Sequence, residues 1–175
     1  MAVLIQEITK GLHDQVLHLL KEKFTTGLVS SSCEYDFPVF VVEKEIAHEV
    51  LQYLRDEPSL NYHFLTTMCA LHYPENAGKE FAIMYQLHNF PENKRIRIKT
   101  FLPEQKLEIA TITDLWEAAN WMERQEYDFF GVNFIGHPNL IRILNMEDIT
   151  FFPMRKDFPL EDQTRDDKND SMFGR

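Results

Sequence analysis

Two cysteines, Cys33 and Cys69, are all the thiol this chain has, and they stand too far apart to form a CxxC pair. That removes a disulfide framework as a source of stability and points to a reducing compartment. It also leaves an iron–sulfur cluster short of the four thiolates it usually takes. Glycine is scarce, at six residues. Neither GxGxxG nor GxxxxGK[ST] occurs, so the backbone loops that cradle phosphates are missing, and GxSxG is absent as well. The seven histidines fall at no metal-ligand spacing; His13 and His18 do not share a helix face. Positive charge is short too, with 18 Lys and Arg against 28 Asp and Glu for a net charge of −10. Broad nucleic-acid binding needs clustered cations to replace phosphate counterions, and that class is set aside. No apolar run approaches the roughly 20 residues that span a bilayer. The opening MAVLIQEITKGLHDQ has no basic region followed by a long apolar core, as a secretory signal would. It lacks Arg and carries Glu7 and Asp14, which suits a mitochondrial transit peptide poorly. Membrane association is therefore expected only through a partner.

What is present suits one buried domain with an extension: 175 residues, of which 44% are apolar. Leu12, Val16, Leu19, Leu20 and Phe24 recur at helical spacing, with Gly27 placed to cap the helix C-terminally. FPVFVV (37–42) reads as a short buried strand. Ile46, Ala47, Val50, Leu51 and Leu54 mark a second helix, stopped by Pro58. The period then becomes two. YHFLTTMCALHY, FAIMYQLH and RIRIKTF, separated by turn-rich PENAGK and FPENK, predict an antiparallel meander with one wet face. A third helix is expected from Thr113–Asp114, with Asp114 and Glu117 as a capping box, ending at a left-handed Gly131. Two apolar faces are expected along it: Leu115, Ala118, Met122 and Phe129, then Trp116, Ala119, Tyr127 and Phe130. Beyond Val132 periodicity fades. Gly136-His137-Pro138-Asn139 is a turn, and Pro153 and Pro159 frame an extended strip. The last fifteen residues have little to bury. The fold class is α+β: an antiparallel β-meander packed with three helices over residues 1–135, followed by an extended irregular C-terminal arm over 136–175.

The densest chemistry lies between Glu123 and Leu144. Glu123, Glu126 and Asp128 would form an acid/base set if like-charge proximity raised one pKa. The favoured reading has them in structural ion networks with Arg124, Arg142, Arg155 or Lys156. His137 titrates near neutrality and would carry protons, but a histidine in such a turn more often bonds nearby backbone. Trp116 and Trp121 read as packing and interface anchors. Arg155 has two readings of equal weight: its planar fork meets a carboxylate across an interface, or it ties its own tail down.

TDLWEAANWMERQEYDFFGVNFIGHPNLIRIL followed by FPMRKDFPL resembles the signature of the 30 kDa subunit family of respiratory complex I, in bacteria the C subunit of NADH-quinone oxidoreductase. EFAIMYQLHNFPENKRIRIKTFLP and LTTMCALHYPE extend the likeness over roughly residues 60 to 160, while residues 1–58 match only in layout. The resemblance rests on Trp116, Trp121, Glu123, Arg124, Tyr127, Asp128, Gly131, His137, Pro138, Arg142, Arg155, Lys156, Asp157 and Pro159. Gln125, Ile141 and Phe151 depart from the family's usual Glu, basic residue or Pro, and Gly. The resemblance implies a subunit of the complex's peripheral arm that holds no cofactor, FMN and the Fe-S clusters sitting in partner subunits. It implies packing beside the 49 kDa-type D subunit, with subunits B and I nearby, at the cytoplasmic face of the bacterial inner membrane. Those signature residues would be docking surface, with no catalytic, cofactor or metal site. Two alternatives stand: the equivalent subunit of a complex-I-like membrane-bound hydrogenase or other dehydrogenase, and a stand-alone soluble acid/base enzyme using Glu123, Asp128 and His137.

Overall fold

Strand alternation decides which face of the central sheet is buried, and the computed structural model, which describes residues 2–159, shows the result. Helix α1 (Ala2–Lys23) leads into β1 (Leu28–Glu34) and β2 (Phe37–Val42), and α2 (Ala47–Asp56) follows. Strands β3 (Phe64–His72), β4 (Phe81–Asn89) and β5 (Lys94–Leu102) form the expected antiparallel meander. The sheet is larger than that meander. Its order is β1-β2-β5-β4-β3, and β2 joins β5 in parallel through Val39↔Arg97, Phe40↔Ile98 and Val41↔Lys99. The α+β class stands; the sheet is mixed rather than wholly antiparallel.

Phe40, Ile83, Tyr85, Leu87, Ile96 and Ile98 point to one face and pack with Val16 and Leu20 of α1 and Val50, Leu51 and Leu54 of α2. At about 25 cal/mol per Å² of apolar surface removed from water, this face drives folding. The opposite face carries Arg95, Arg97 and Lys99. A one-residue slip of β5 would exchange the two sets, so the alternation locks the register.

Four sequence expectations are corrected. Gly27 is no helix cap: α1 ends at Lys23, and Gly27, at φ +95°, sits where a Cβ would lie 2.5 Å from Ile46 Cδ1. The third helix, α3 (Ala119–Phe130), begins five residues beyond Asp114. Asp114 is instead held by His48 Nε2 at 2.9 Å, so its carboxylate caps nothing, and residues 112–118 form successive turns. The fully buried side chains of α3 are Ala119, Glu123, Glu126 and Asp128; of the two expected apolar faces, Met122 and Phe130 pack half-buried against the core, so three acids take the deepest positions. Finally, regular structure continues past Val132: β7 (Asn133–Ile135) pairs in parallel with β6 (Glu108–Ala110).

Candidate functional site

Three buried carboxylates on α3 organise the C-terminal half of the molecule. Asp128 is the most heavily bonded. Its Oδ2 accepts the backbone N–H groups of Ile143 (3.1 Å), Leu144 (2.8 Å) and Asn145 (2.9 Å). Its Oδ1 accepts from Asn145 Nδ2 and from Arg142 Nη1. Burial alone would raise this carboxyl's pKa; the hydrogen bonds from Asn145, Leu144 and Arg142 outweigh it and hold the group far below the usual carboxylate range. Arg142 extends the knot, donating also to the carbonyls of Asp128 (2.8 Å), Ile149 (2.9 Å) and Phe151 (3.2 Å). A planar fork spans four acceptors in a way a lysine does not.

Among the described residues, Glu123 and Glu126 have no cationic partner in hydrogen-bond reach. Glu123 accepts from the Thr111 hydroxyl at 2.5 Å and the Ile112 N–H at 2.7 Å. Glu126 accepts the Ala70 N–H at 2.8 Å, which covers an outward donor of edge strand β3. Burial raises both pKa values to about 7 against the opposing pull of these hydrogen bonds. The cause is desolvation; the two glutamates do not raise each other. The expected ion network therefore holds for Asp128 with Arg142 and is corrected for the other acids. Arg124 caps the carbonyls of Ile141 and Arg142 instead.

His137 bonds backbone on both sides. Its Nδ1 accepts the Asn139 N–H at 3.0 Å, so Nε2 carries the hydrogen and donates to the Asn120 carbonyl at 3.1 Å. Glu123 Oε2 lies 4.0 Å from Nε2, beyond bonding reach. Pro138 is exposed in the turn. Both ring nitrogens are engaged, and the side chains of His137, Glu123 and Asp128 have no exposed surface. A cleft of about 600 Å³ lies elsewhere, between α1 and β1, and contains none of these residues.

The arm returns along α3 in successive turns, which corrects the extended strip expected between Pro153 and Pro159. Gly131 ends the helix at φ +80°, its N–H bonded to the Tyr127 carbonyl, and a Cβ there would lie 2.6 Å from the Phe152 ring. Arg155 ties its own chain down: Nε donates to the Phe130 carbonyl at 2.8 Å, and the guanidinium lies 5.0 Å from the Phe81 ring and 4.8 Å from that of Phe152. The Lys156 N–H donates to His72 Nδ1 at 3.0 Å. The Lys156 side chain, Asp157 and Pro159 are exposed. Trp116 is buried and donates to the His63 carbonyl. Trp121 is 64% exposed, with the Arg124 guanidinium over its ring. Tyr127 lines a cleft of about 260 Å³ with Leu140, Ile141, Arg142 and Glu147. Sequence reasoning missed Thr111 and Asn145; the only hint was a set of closely spaced carboxylates inside an apolar pattern, which signals burial but not its partners.

Large apolar side chains are exposed along the segment this knot holds. Of eleven exposed large apolar side chains among the described residues, seven lie on α3 or after it: Trp121, Ile135, Ile141, Leu144, Met146, Phe151 and Met154. Scattered apolar side chains need no explanation, but these seven are concentrated within residues 121–154.

The model of a family described as the 30 Kd subunit of respiratory-chain NADH dehydrogenase matches residues 40–164. The chain belongs to that family. The C subunit of NADH-quinone oxidoreductase from Citrifermentans bemidjiense is 43% identical over 148 residues, which are 84% of this chain and 89% of that protein. Among solved structures, a trypsin-resistant fragment of Nqo5 is 28% identical with a TM-score of 0.63, covering 73% of this chain and 98% of the fragment. A chain of the membrane-bound sulfane sulfur reductase, an archaeal respiratory membrane complex, shares the fold at 23% identity and a TM-score of 0.70, covering 84% of this chain and 85% of that one. As a member of the 30 kDa subunit family, the chain is a subunit of a respiratory oxidoreductase and has other subunits of such a complex as its partners. No helix of the described residues is long and apolar enough to cross a membrane.

Proposed function

We propose that this chain is a cofactor-free assembly subunit of a proton-pumping NADH:quinone oxidoreductase, acting in the peripheral arm through docking rather than catalysis. The complex it serves passes electrons from NADH through FMN and Fe-S clusters to quinone, all held by neighbours. Its main contact is the 49 kDa-type D subunit, with subunits B and I nearby, on the cytoplasmic face of the bacterial inner membrane. One observation carries the reading: exposed apolar side chains are concentrated on a segment whose backbone is pinned from beneath by Asp128 and Arg142. Pinning lowers the ordering cost at docking, which is how a surface loop becomes an adhesive face. The seven residues named as exposed include Trp121 and two methionines, types favoured at interfaces.

Gentle detergent extraction of membranes through a tag on this chain tests the proposal. It should recover a large assembly that oxidises NADH and reduces quinone, while the same chain purified alone carries neither flavin nor iron. Recovery of the chain by itself, or turnover by the isolated chain, would overturn it. An assembly that accepts hydrogen or a sulfur substrate and ignores NADH would place the chain in a complex-I-like hydrogenase or reductase.

A further inference from the structure

The helices α1 and α2 cover one face of the five-stranded sheet, and the other face gathers positive charge on a chain of net charge −10. Arg95, Arg97 and Lys99 stand in a row along β5, the central strand of the sheet. Lys99 Nζ lies 4.9 Å from the ring centroids of both Tyr73 and Phe101. Lys79 approaches the same Phe101 ring at 5.8 Å, and Lys156 of the arm approaches the same Tyr73 ring at 5.7 Å. Three ammonium groups thus gather on two aromatic rings. Arg97 lies 4.3 Å over the Phe37 ring while its Nε donates to Gln86. Cation–π contact and these hydrogen bonds hold the cations in place without neutralising them. Among the described residues, Lys79, Arg95, Arg97, Lys99 and Lys156 all lack a carboxylate oxygen within 4.0 Å. Acids do stand at the rim: Glu80 follows Lys79 and its carbonyl accepts the Tyr73 N–H, Asp157 follows Lys156, Glu126 reaches the backbone of edge strand β3, and Glu43 and Glu45 share a cleft with Lys79 and Phe101.

We propose that this open sheet face is a second docking surface, and that its occupant is a carboxylate-bearing surface of a neighbouring subunit in the same assembly. The inference rests on the assembly reading above and adds a face and a chemistry to it. Charge complementarity is the argument. Five cations that find no carboxylate within 4.0 Å among the described residues repel one another, and an acidic partner relieves that repulsion as it binds. The cations are interleaved with the half-buried Val41, Cys69, Leu71, Met84 and Phe101. That mixture matches a protein interface better than a polyphosphate or lipid surface, whose contacts run through charge alone.

The experiment uses the tagged assembly and the purified full-length chain. Both receive a brief pulse of acetic anhydride, and separate samples are treated with a carbodiimide, which joins lysine amines to adjacent carboxylates; peptides are then read by mass spectrometry. Lys99 should label about tenfold more slowly in the assembly, as an amine held in a contact that seldom opens does. Lys79 or Lys99 should also be found joined to an Asp or Glu of another subunit. Equal labelling of Lys99 in a recovered assembly would overturn this inference and leave the assembly reading intact; failure to recover any assembly would overturn both. Protection without an inter-subunit cross-link, cross-links confined to this chain, or equal protection of the lone chain by phosphatidylglycerol vesicles would each overturn it. The Arg95→Glu, Lys99→Glu double variant, at exposed or half-buried positions, should keep its circular dichroism yet be incorporated on the order of a hundredfold less well, because like charges would then face each other. Normal incorporation of the folded variant would count equally against the inference.

Discussion

Arg142 and Asp128 show how one ion pair can hold about twenty residues of irregular chain. Asp128 has no exposed surface, so removing its cation leaves a buried charge supported only by the backbone amides of residues 143–145 and Asn145. Breaking a buried pair on one side costs roughly 3–5 kcal/mol. Arg142→Ala should therefore lower stability by about 3 kcal/mol in urea unfolding, and Arg142→Lys should recover little because it cannot reach four acceptors at once. Glu123 and Glu126 pull the other way. Their pKa values are raised on folding to about 7, so above the ordinary carboxylate value the unfolded chain sheds these protons first. Stability then falls as pH rises between about 4.5 and 7. Asp128, with its lowered pKa, contributes stability above the ordinary carboxylate pKa that is lost as pH falls through its folded pKa. Glu126→Gln keeps an acceptor for the Ala70 N–H while removing the charge. Its thermal midpoint should rise relative to wild type at about pH 8, by roughly 1–3 kcal/mol in stability, and differ little near about pH 5. A gain that is the same at both pH values would remove burial of charge as the cause.

At the scale of elements, the end of α3 depends on Gly131. Its φ of +80° and the Phe152 ring beside it both exclude a side chain. Gly131→Ala should cost roughly 1–3 kcal/mol and increase protease cutting within residues 142–155, since it displaces the turn that Arg155 and Phe152 close. Intact arm protection in that variant would show that the arm is held without the turn. The same helix shows what the sequence makes legible. Gly131 announces its own conformation because glycine alone tolerates it cheaply, and alternation in β3, β4 and β5 fixes their faces. Asp114 misleads because a capping carboxylate and a carboxylate bound by His48 look alike until α2 is in place. LVSSSCE hides a strand because an edge paired on one side needs little apolar pattern. The parallel pairing of β2 with β5, and of β6 with β7, joins segments far apart in the chain. Among the candidate site residues, types and spacing foretold the backbone bonds of His137 and an ion pair between these acids and the nearby cations, without singling out Asp128 with Arg142. They could not foretell that Glu123 and Glu126 would be buried on neutral donors, because that depends on Thr111, Ile112 and Ala70 arriving from other elements.

At the scale of the whole molecule, the proposed function divides internal packing and external adhesion between two layers of the same segment. Asp128, Arg142 and Arg155 face inward and hold the arm; Leu144 and Met146, 61% and 69% exposed, face outward and are free of internal packing duties. Surface changes away from caps and buried partners shift stability by only about 0.5 kcal/mol, whereas a few central apolar contacts carry most of an interface's energy. Stability and incorporation should therefore separate. The most direct measurement compares, at native expression level, how much tagged Leu144→Ser, Met146→Ser chain is found in the NADH-oxidising assembly with how much folded chain is present. Unchanged thermal unfolding together with loss of most of the incorporated protein is the predicted result. Incorporation at the wild-type level, with the arm's outer surface made polar, would contradict the account.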